Sequence, residues 1–138
     1  MIQNLRQYRV TKTQIARLET ALDAAVKAAE GMDPRVASAM RRGIEAQIQE
    51  LREELRAYDR ISEAETLHLS SCQELGQLMI RGRIARGLTQ KDLAEALHLK
   101  PQQIQRYEAT DYQSVSLKRI QRIMEVLGLE LESEIKLR

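Results

Sequence analysis

The sequence predicts a mainly all-α protein in two parts: an antiparallel helical hairpin, or coiled coil, followed by a cluster of short helices. Three observations predict it. Leu, Ile, Val, Met and Ala recur at three- and four-residue steps through most of the 138 residues, the period of a helix with one buried face. Phe and Trp are absent and there are four Tyr, so the core must be aliphatic, which suits packed helices. Gly, Asp-Pro and Ser/Thr fall where one helix should stop and the next be capped. The division is expected at residues 1–69 for the arm and 70–138 for the compact domain.

The bulk numbers exclude several classes. No run of eighteen apolar residues occurs, so no membrane span is expected, and MIQNLRQYRV lacks the apolar core of a signal peptide, so a cytoplasmic protein is expected. Cys72 is the only cysteine, and His68 and His98 are thirty residues apart. Neither a disulfide nor a metal site is expected, and no cofactor. Cys72 is expected to be a small, partly buried residue and His68 a solvent-side one. No nucleophile–base pairing or glycine-rich phosphate loop is present, so an enzyme is not expected. The net charge is +2. Residues 1–69 hold 11 basic and 11 acidic groups, residues 70–128 hold 9 and 6 (net +3), and residues 129–138 hold 2 and 3 (net −1). The excess in the second domain points weakly to nucleic acid.

In the arm, residues 1–10 read as short and irregular, with an extended piece over Gln7–Val10, and Thr11 or Thr13 as the cap of the first helix. Ile15, Leu18, Leu22, Ala25 and Ala29 form its seam. Gly31 ends it. Asp33 caps the second helix and Pro34 opens it, and that helix runs to about Ile61. Its seam is Ala37, Met40, Ile44, Ile48, Leu51, Leu55 and Tyr58. Two helices alone bury little apolar surface. The seam is therefore expected to pack on a second copy, with docking on the same chain or on a dedicated partner protein as alternatives.

The joint, SEAETLHLSS, holds two capping-box spacings, Ser62 with Glu65 and Ser71 with Glu74. Thr66–Leu69 alternates like a short strand, and so do Leu129, Leu131, Ile135 and Leu137. These runs could pair with each other, or the second could pair across a dimer.

The second domain reads as four or five short helices. The first spans about Cys72–Arg86, with Leu75, Leu78, Met79 and Ile84 inward and Gly87 as its stop. Thr89 caps the second, which carries Leu93, Ala94 and Leu97. The turn is His98-Leu99-Lys100. Pro101 opens the third, with Ile104 and Tyr107 inward. After the loop ATDYQSVS, a fourth helix from about Ser116 to Leu127 shows Leu117, Ile120, Ile123, Met124 and Leu127 on one face, and Gly128 ends it.

These residues resemble the Cro/phage-repressor, or Xre, class of helix-turn-helix domains over about residues 72–129. Many positions agree together: GLTQ entering the second helix, Leu93-Ala94 with Leu97, Leu99 and Ile104 at fixed distances, Arg106-Tyr107-Glu108 closing the third, and Ser116-Leu117 and Leu127-Gly128 bounding the fourth. The resemblance implies a lambda-repressor-like fold with a buried ion pair between Arg83 and Glu108. It also marks two departures. His98 stands where glycine is usual, and Lys100 stands where a Ser or Thr cap is usual.

By the same resemblance DNA is met by the start of the second helix and the outer face of the third. Thr89 and Gln90 are candidates for a phosphate at a helix N-terminus. Gln102 and Arg106, with Gln103 and Gln105 beside them, are candidates for base edges, since glutamine can bond adenine in two places and arginine guanine. Lys100, Tyr112, Gln113 and Ser114 are further phosphate candidates. The function expected is a sequence-specific DNA-binding transcriptional regulator, a repressor, acting as a homodimer on a palindromic operator in double-stranded DNA. The alternative is an antitoxin that neutralises a toxin protein and represses its own operon. An adaptor using the motif to bind protein is disfavoured by the polar third helix.

Overall fold

Helix α1 (Leu5–Ala28) starts well before either threonine expected to cap it. Asn4 does the capping: its Oδ1 accepts the Gln7 N–H at 2.9 Å, and Gln7 returns its own Oε1 to the N–H of Gln3. No extended piece exists at Gln7–Val10. Thr11 lies inside the helix, buried on its inner face. A Thr in a seam is easily mistaken for a cap, since both positions precede an apolar repeat. With this start α1 is about 36 Å long, against about 44 Å for α2 (Pro34–Ser62).

The computed structural model describes residues 1–138 and divides into two compact units, Met1–Arg60 and Ile61–Arg138. The first unit is the hairpin. Gly31 takes φ +87° after α1, and Asp33 Oδ1 accepts the Arg35 N–H at 2.8 Å to open α2. The antiparallel arrangement brings the Tyr8 hydroxyl to Asp59 at 3.3 Å and the Tyr8 and Tyr58 rings to 5.1 Å between centroids. Arg52 and Glu19 bond at 2.6 Å on the surface, where such a pair adds little. The buried seam is thin: Ile2, Thr11, Ile15 and Ile48. Met40, expected in it, is 47% exposed.

The second unit begins with an irregular segment, a 3-10 turn (Cys72–Glu74) and α3 (Leu75–Ala85), followed by α4 (Gln90–Ala96), α5 (Pro101–Ala109) and α6 (Leu117–Leu127). Its core is closed by Met79, Ile80, Leu93, Ala94, Ile104 and Ile123, all inaccessible to solvent. All four α-helices end by the same device. A left-handed residue (Gly87, His98, Asp111 and Gly128, with φ of +67°, +56°, +50° and +62°) turns the chain, and the next residue bonds back to a carbonyl five positions earlier; after α5 that next residue, Tyr112, is left-handed as well, at φ +58°. The pairs are Leu88 to Arg83, Leu99 to Ala94, Tyr112 to Tyr107 and Leu129 to Met124. This is the double-bonded helix stop in which the residue after the left-handed one is apolar and folds onto its own helix. It explains why Leu88, Leu99, Tyr112 and Leu129 each follow such a residue.

Several expectations are corrected here. Neither Thr66–Leu69 nor Leu129–Leu137 is a strand: both are irregular, and no ladder of hydrogen bonds joins them. Leu117 is 77% exposed, one residue inside the Ser116 cap and turned away from the core that Ile120, Ile123 and Leu127 fill. Cys72 is exposed. Neither joint serine caps a helix. The α2 helix ends at Ser62, and Glu74 Oε2 accepts from the Ser70 N–H at 2.9 Å while Ser71 makes no side-chain cap. No helix is long and apolar enough to cross a membrane.

Candidate nucleic-acid interface

The candidate reading helix is α5, and its inner side is fixed first. Ile104 on α5 and Ala94 on α4 are both fully enclosed, and the two helices pack on one another. The carboxylate of Glu108 is buried and takes two parallel bonds from Arg83, Nε at 2.6 Å and Nη2 at 3.0 Å. The third arm of the guanidinium, Nη1, donates to the Leu88 carbonyl at 2.8 Å. Gln90 donates its Nε2 to Glu108 Oε2 at 2.7 Å. One network therefore ties α3, the loop before α4, the first turn of α4 and the last turn of α5. The bidentate geometry fixes direction as well as distance.

The outer side of α5 presents Gln102, Gln105 and Arg106, all exposed and none engaged in a bond through its side chain within the chain. Their spacing of three and four puts them on one face. The structure separates Gln103 from this group. Its side chain is half-buried, and its Oε1 accepts the Lys100 N–H at 3.0 Å, which ties the start of α5 back onto its first turn. Lys100 itself is exposed at the tip between α4 and α5.

At the start of α4, Thr89 and Asp92 form a reciprocal cap. Thr89 Oγ1 accepts the Asp92 N–H at 3.0 Å, and Asp92 Oδ2 accepts the Thr89 N–H at 2.8 Å. The Thr89 hydroxyl also donates to that oxygen at 2.7 Å. These bonds, the hydroxyl's first and the backbone's second, hold the Asp92 carboxyl below its ordinary value. Gln90 is half-buried, turned toward Glu108.

In the loop after α5, Gln113 and Ser114 are exposed, whereas Tyr112 is not a surface residue. It is 4% exposed, its ring lies 5.9 Å from that of Tyr107, and its hydroxyl has no hydrogen-bond partner. The phosphate role expected of it is corrected: the residue plugs the core as the apolar member of the α5 stop. Burial, and then the charge of Glu108, push its phenol above the ordinary range. Sequence reasoning did not see Asp111 as the left-handed residue there, nor Gly76, whose α3 backbone runs against the Asp111 carbonyl. The missed signal is the pair of polar residues, Thr110 and Asp111, before a tyrosine at a helix end.

This architecture, a short helix crossing another at a tight turn with a polar outer face, defines a DNA-binding helix-turn-helix regulator. The Helix-turn-helix family matches residues 80–133, and that segment is a helix-turn-helix domain of the Cro/Xre type. No curated protein and no solved structure matches the chain.

Proposed function

We propose that the chain is a sequence-specific transcriptional regulator, a repressor, that places α5 in the major groove of double-stranded DNA and acts as a dimer on a palindromic operator. The observation that carries this reading is the division of labour on α5. Its inner face is locked by Ile104 and Glu108, while Gln102, Gln105 and Arg106 stand free on the outer one. In this reading Gln102, Gln105 and Arg106 meet base edges, with bidentate bonds open to adenine and guanine. Lys100, Gln113 and Ser114 meet phosphates, as do Thr89 and the backbone N–H groups of Gln90 and Lys91 at the start of α4. Gln90 and Gln103 contribute chiefly by holding the two helices. Selection of bound duplexes from a random pool tests it. Enrichment of a palindrome with half-sites about 34 Å apart is expected, and no enrichment overturns it.

A second reading, an antitoxin that also represses its own operon, is favoured by the arm. Leu5 and Val10 are 52% and 51% exposed on α1, and Arg6, Arg9 and Arg17 line the same stripe. Such a surface suits a protein partner with acidic and apolar groups. Copurification of a stoichiometric small protein encoded beside this gene would support it.

A further inference from the structure

The segment after α6, LELESEIKLR, has a pattern that the fold leaves unused. Leu129, Leu131, Ile135 and Leu137 alternate with Glu130, Glu132, Glu134, Lys136 and Arg138. In an extended chain, alternate residues share a face, so one face is apolar apart from Ser133 and the other is fully charged. The apolar face is seated at one end only. Leu129 packs where a side chain on Gly82 would stand, 2.7 Å from its Cδ1. Exposure then rises along the face, from 49% at Leu131 to 87% at Ile135 and 96% at Leu137. Beside it lies an open groove of about 940 Å³, walled by Leu67, Leu69, Leu78 and Met124 together with residues 129–133.

The charged face identifies what covers the exposed end. Its order is acidic, acidic, acidic, basic, basic. A parallel, in-register copy would set each charge against its like. An antiparallel copy with its two-fold at Ile135 sets Glu132 opposite Arg138 and Glu134 opposite Lys136, and symmetry repeats both pairs. All four cross-strand pairs are then of opposite sign and none is of like sign. A two-fold at Glu134 would put that glutamate against itself. A two-fold at Ser133 would put Glu132 against Glu134 twice. The Ile135 register also brings together the residues left exposed, Ile135 on Ile135 and Leu137 beside Ser133. Leu129 and Leu131 stay on their own domain. Such a contact is self-complementary, as a two-fold requires.

We propose that residues 132–138 pair antiparallel with the same residues of a second copy, forming a two-stranded ribbon in a register set by these charges. A two-stranded ribbon alone is marginal in water. This one has an apolar underside, and the groove of each domain, lined by leucines together with polar groups such as Glu65 and Arg86, lies beside it. The proposal rests on the reading of the chain as a dimeric operator binder only for its purpose. Its test is made without DNA, so failure of one is distinguishable from failure of the other.

The test is the mass of the full chain in solution at low salt, by sedimentation. Lys136→Glu/Arg138→Glu makes the charged face wholly acidic. Glu132→Lys/Glu134→Lys makes it basic but for Glu130. Each variant alone is expected to dimerise at least tenfold more weakly than the parent, with unchanged helix content. Mixed in equal amounts they should form a heterodimer of restored affinity. In a Cys72→Ser background, Ile135→Cys should cross-link on mild oxidation faster than Glu134→Cys or Ser133→Cys. Variants that remain dimers as tight as the parent overturn the proposal, as does a mixture that does not recombine. Fastest cross-linking at position 133 or 134 overturns the register.

Discussion

Arg83 and Glu108 share two parallel hydrogen bonds, 2.6 and 3.0 Å long, with both side chains closed off from solvent. Removing one partner leaves the other charge buried, at a cost of about 3–5 kcal/mol. Arg83→Ala is therefore expected to unfold the second unit or lower its stability by that order. Replacing both, as Arg83→Met/Glu108→Leu, should return most of the stability, because the pair itself repays little beyond its desolvation. The double variant also removes the anchor of Gln90 and the end of α5. Urea unfolding should then show a folded protein, and fluorescence anisotropy a weaker grip on the selected operator. A double variant as unstable as the single one would show that the pair is a net source of stability.

The Tyr112 hydroxyl makes no bond inside the core. A buried donor left unmatched costs about 1–3 kcal/mol, so Tyr112→Phe is expected to raise stability by roughly 1 kcal/mol. The sign of its pH dependence follows from the raised phenol. The folded state holds the proton where the unfolded chain, near its ordinary value of 10.0, releases it. Stability from this group is full below pH 10 and falls as the pH rises above it. The difference between parent and Phe variant in urea unfolding from pH 8 to 11 should therefore move against the parent at the alkaline end. A constant difference would mean that the phenol ionises alike in both states.

Two helical glycines should respond oppositely to the same substitution. A methyl group on Gly76 would run into the Asp111 carbonyl oxygen, a backbone atom that cannot rotate away. Gly43, in α2, has nothing within 4 Å. Gly76→Ala is expected to cost about 2 kcal/mol or more despite the better helix propensity. Gly43→Ala should add about 0.5–1 kcal/mol. Thermal unfolding followed by circular dichroism measures both, and a neutral Gly76→Ala would mean that the Asp111 turn can shift.

The same turn shows where legibility ends. The four short helices, the Gly87 and Gly128 stops, and His98 in a left-handed position are all readable locally, because each depends on a few neighbouring residues. So is the Arg83–Glu108 pair, through a resemblance that carries three-dimensional information. Gly76 is not readable, since its reason lies thirty-five positions away at Asp111. Tyr112 misleads for a related cause: a tyrosine in a polar loop reads as surface until the stop at Asp111 folds it inward. Gln90 and Gln103 look like Gln102 in sequence, and only the positions of Glu108 and the Lys100 N–H separate anchors from free side chains. The two alternating runs were legible as a pattern, but pairing needs a partner that one chain does not supply.

His98 is the one left-handed helix stop in this domain occupied by an exposed imidazole, at φ +56°. A residue with a Cβ is strained there by about 1–2 kcal/mol, partly eased because histidine tolerates the region better than most. His98→Gly should gain up to about 1 kcal/mol after the entropy that glycine loses on folding. His98→Val, branched at Cβ, should lose stability instead. Equal stability of the three would show that the turn relaxes around its occupant.

In the proposed reading two kinds of DNA contact are divided, base edges to the free face of α5 and phosphate to the tip before it. In that reading Arg106 addresses a base edge, so Arg106→Ala is expected to lower operator affinity about tenfold or more and to relax preference at one position of each half-site. Gln102→Ala should act in the same way at a neighbouring position, with a smaller loss because no charge is removed. Lys100 stands exposed at the tip and in the same reading addresses only phosphate. Lys100→Ala should weaken binding to all sequences alike and reduce the slope of log affinity against log salt by about one per half-site. Titrations at several salt concentrations, on the operator and on single-base variants, read both quantities. An Arg106 variant that kept full sequence preference while losing salt dependence would exchange the two roles, placing the α4–α5 tip, rather than α5's outer face, over the bases.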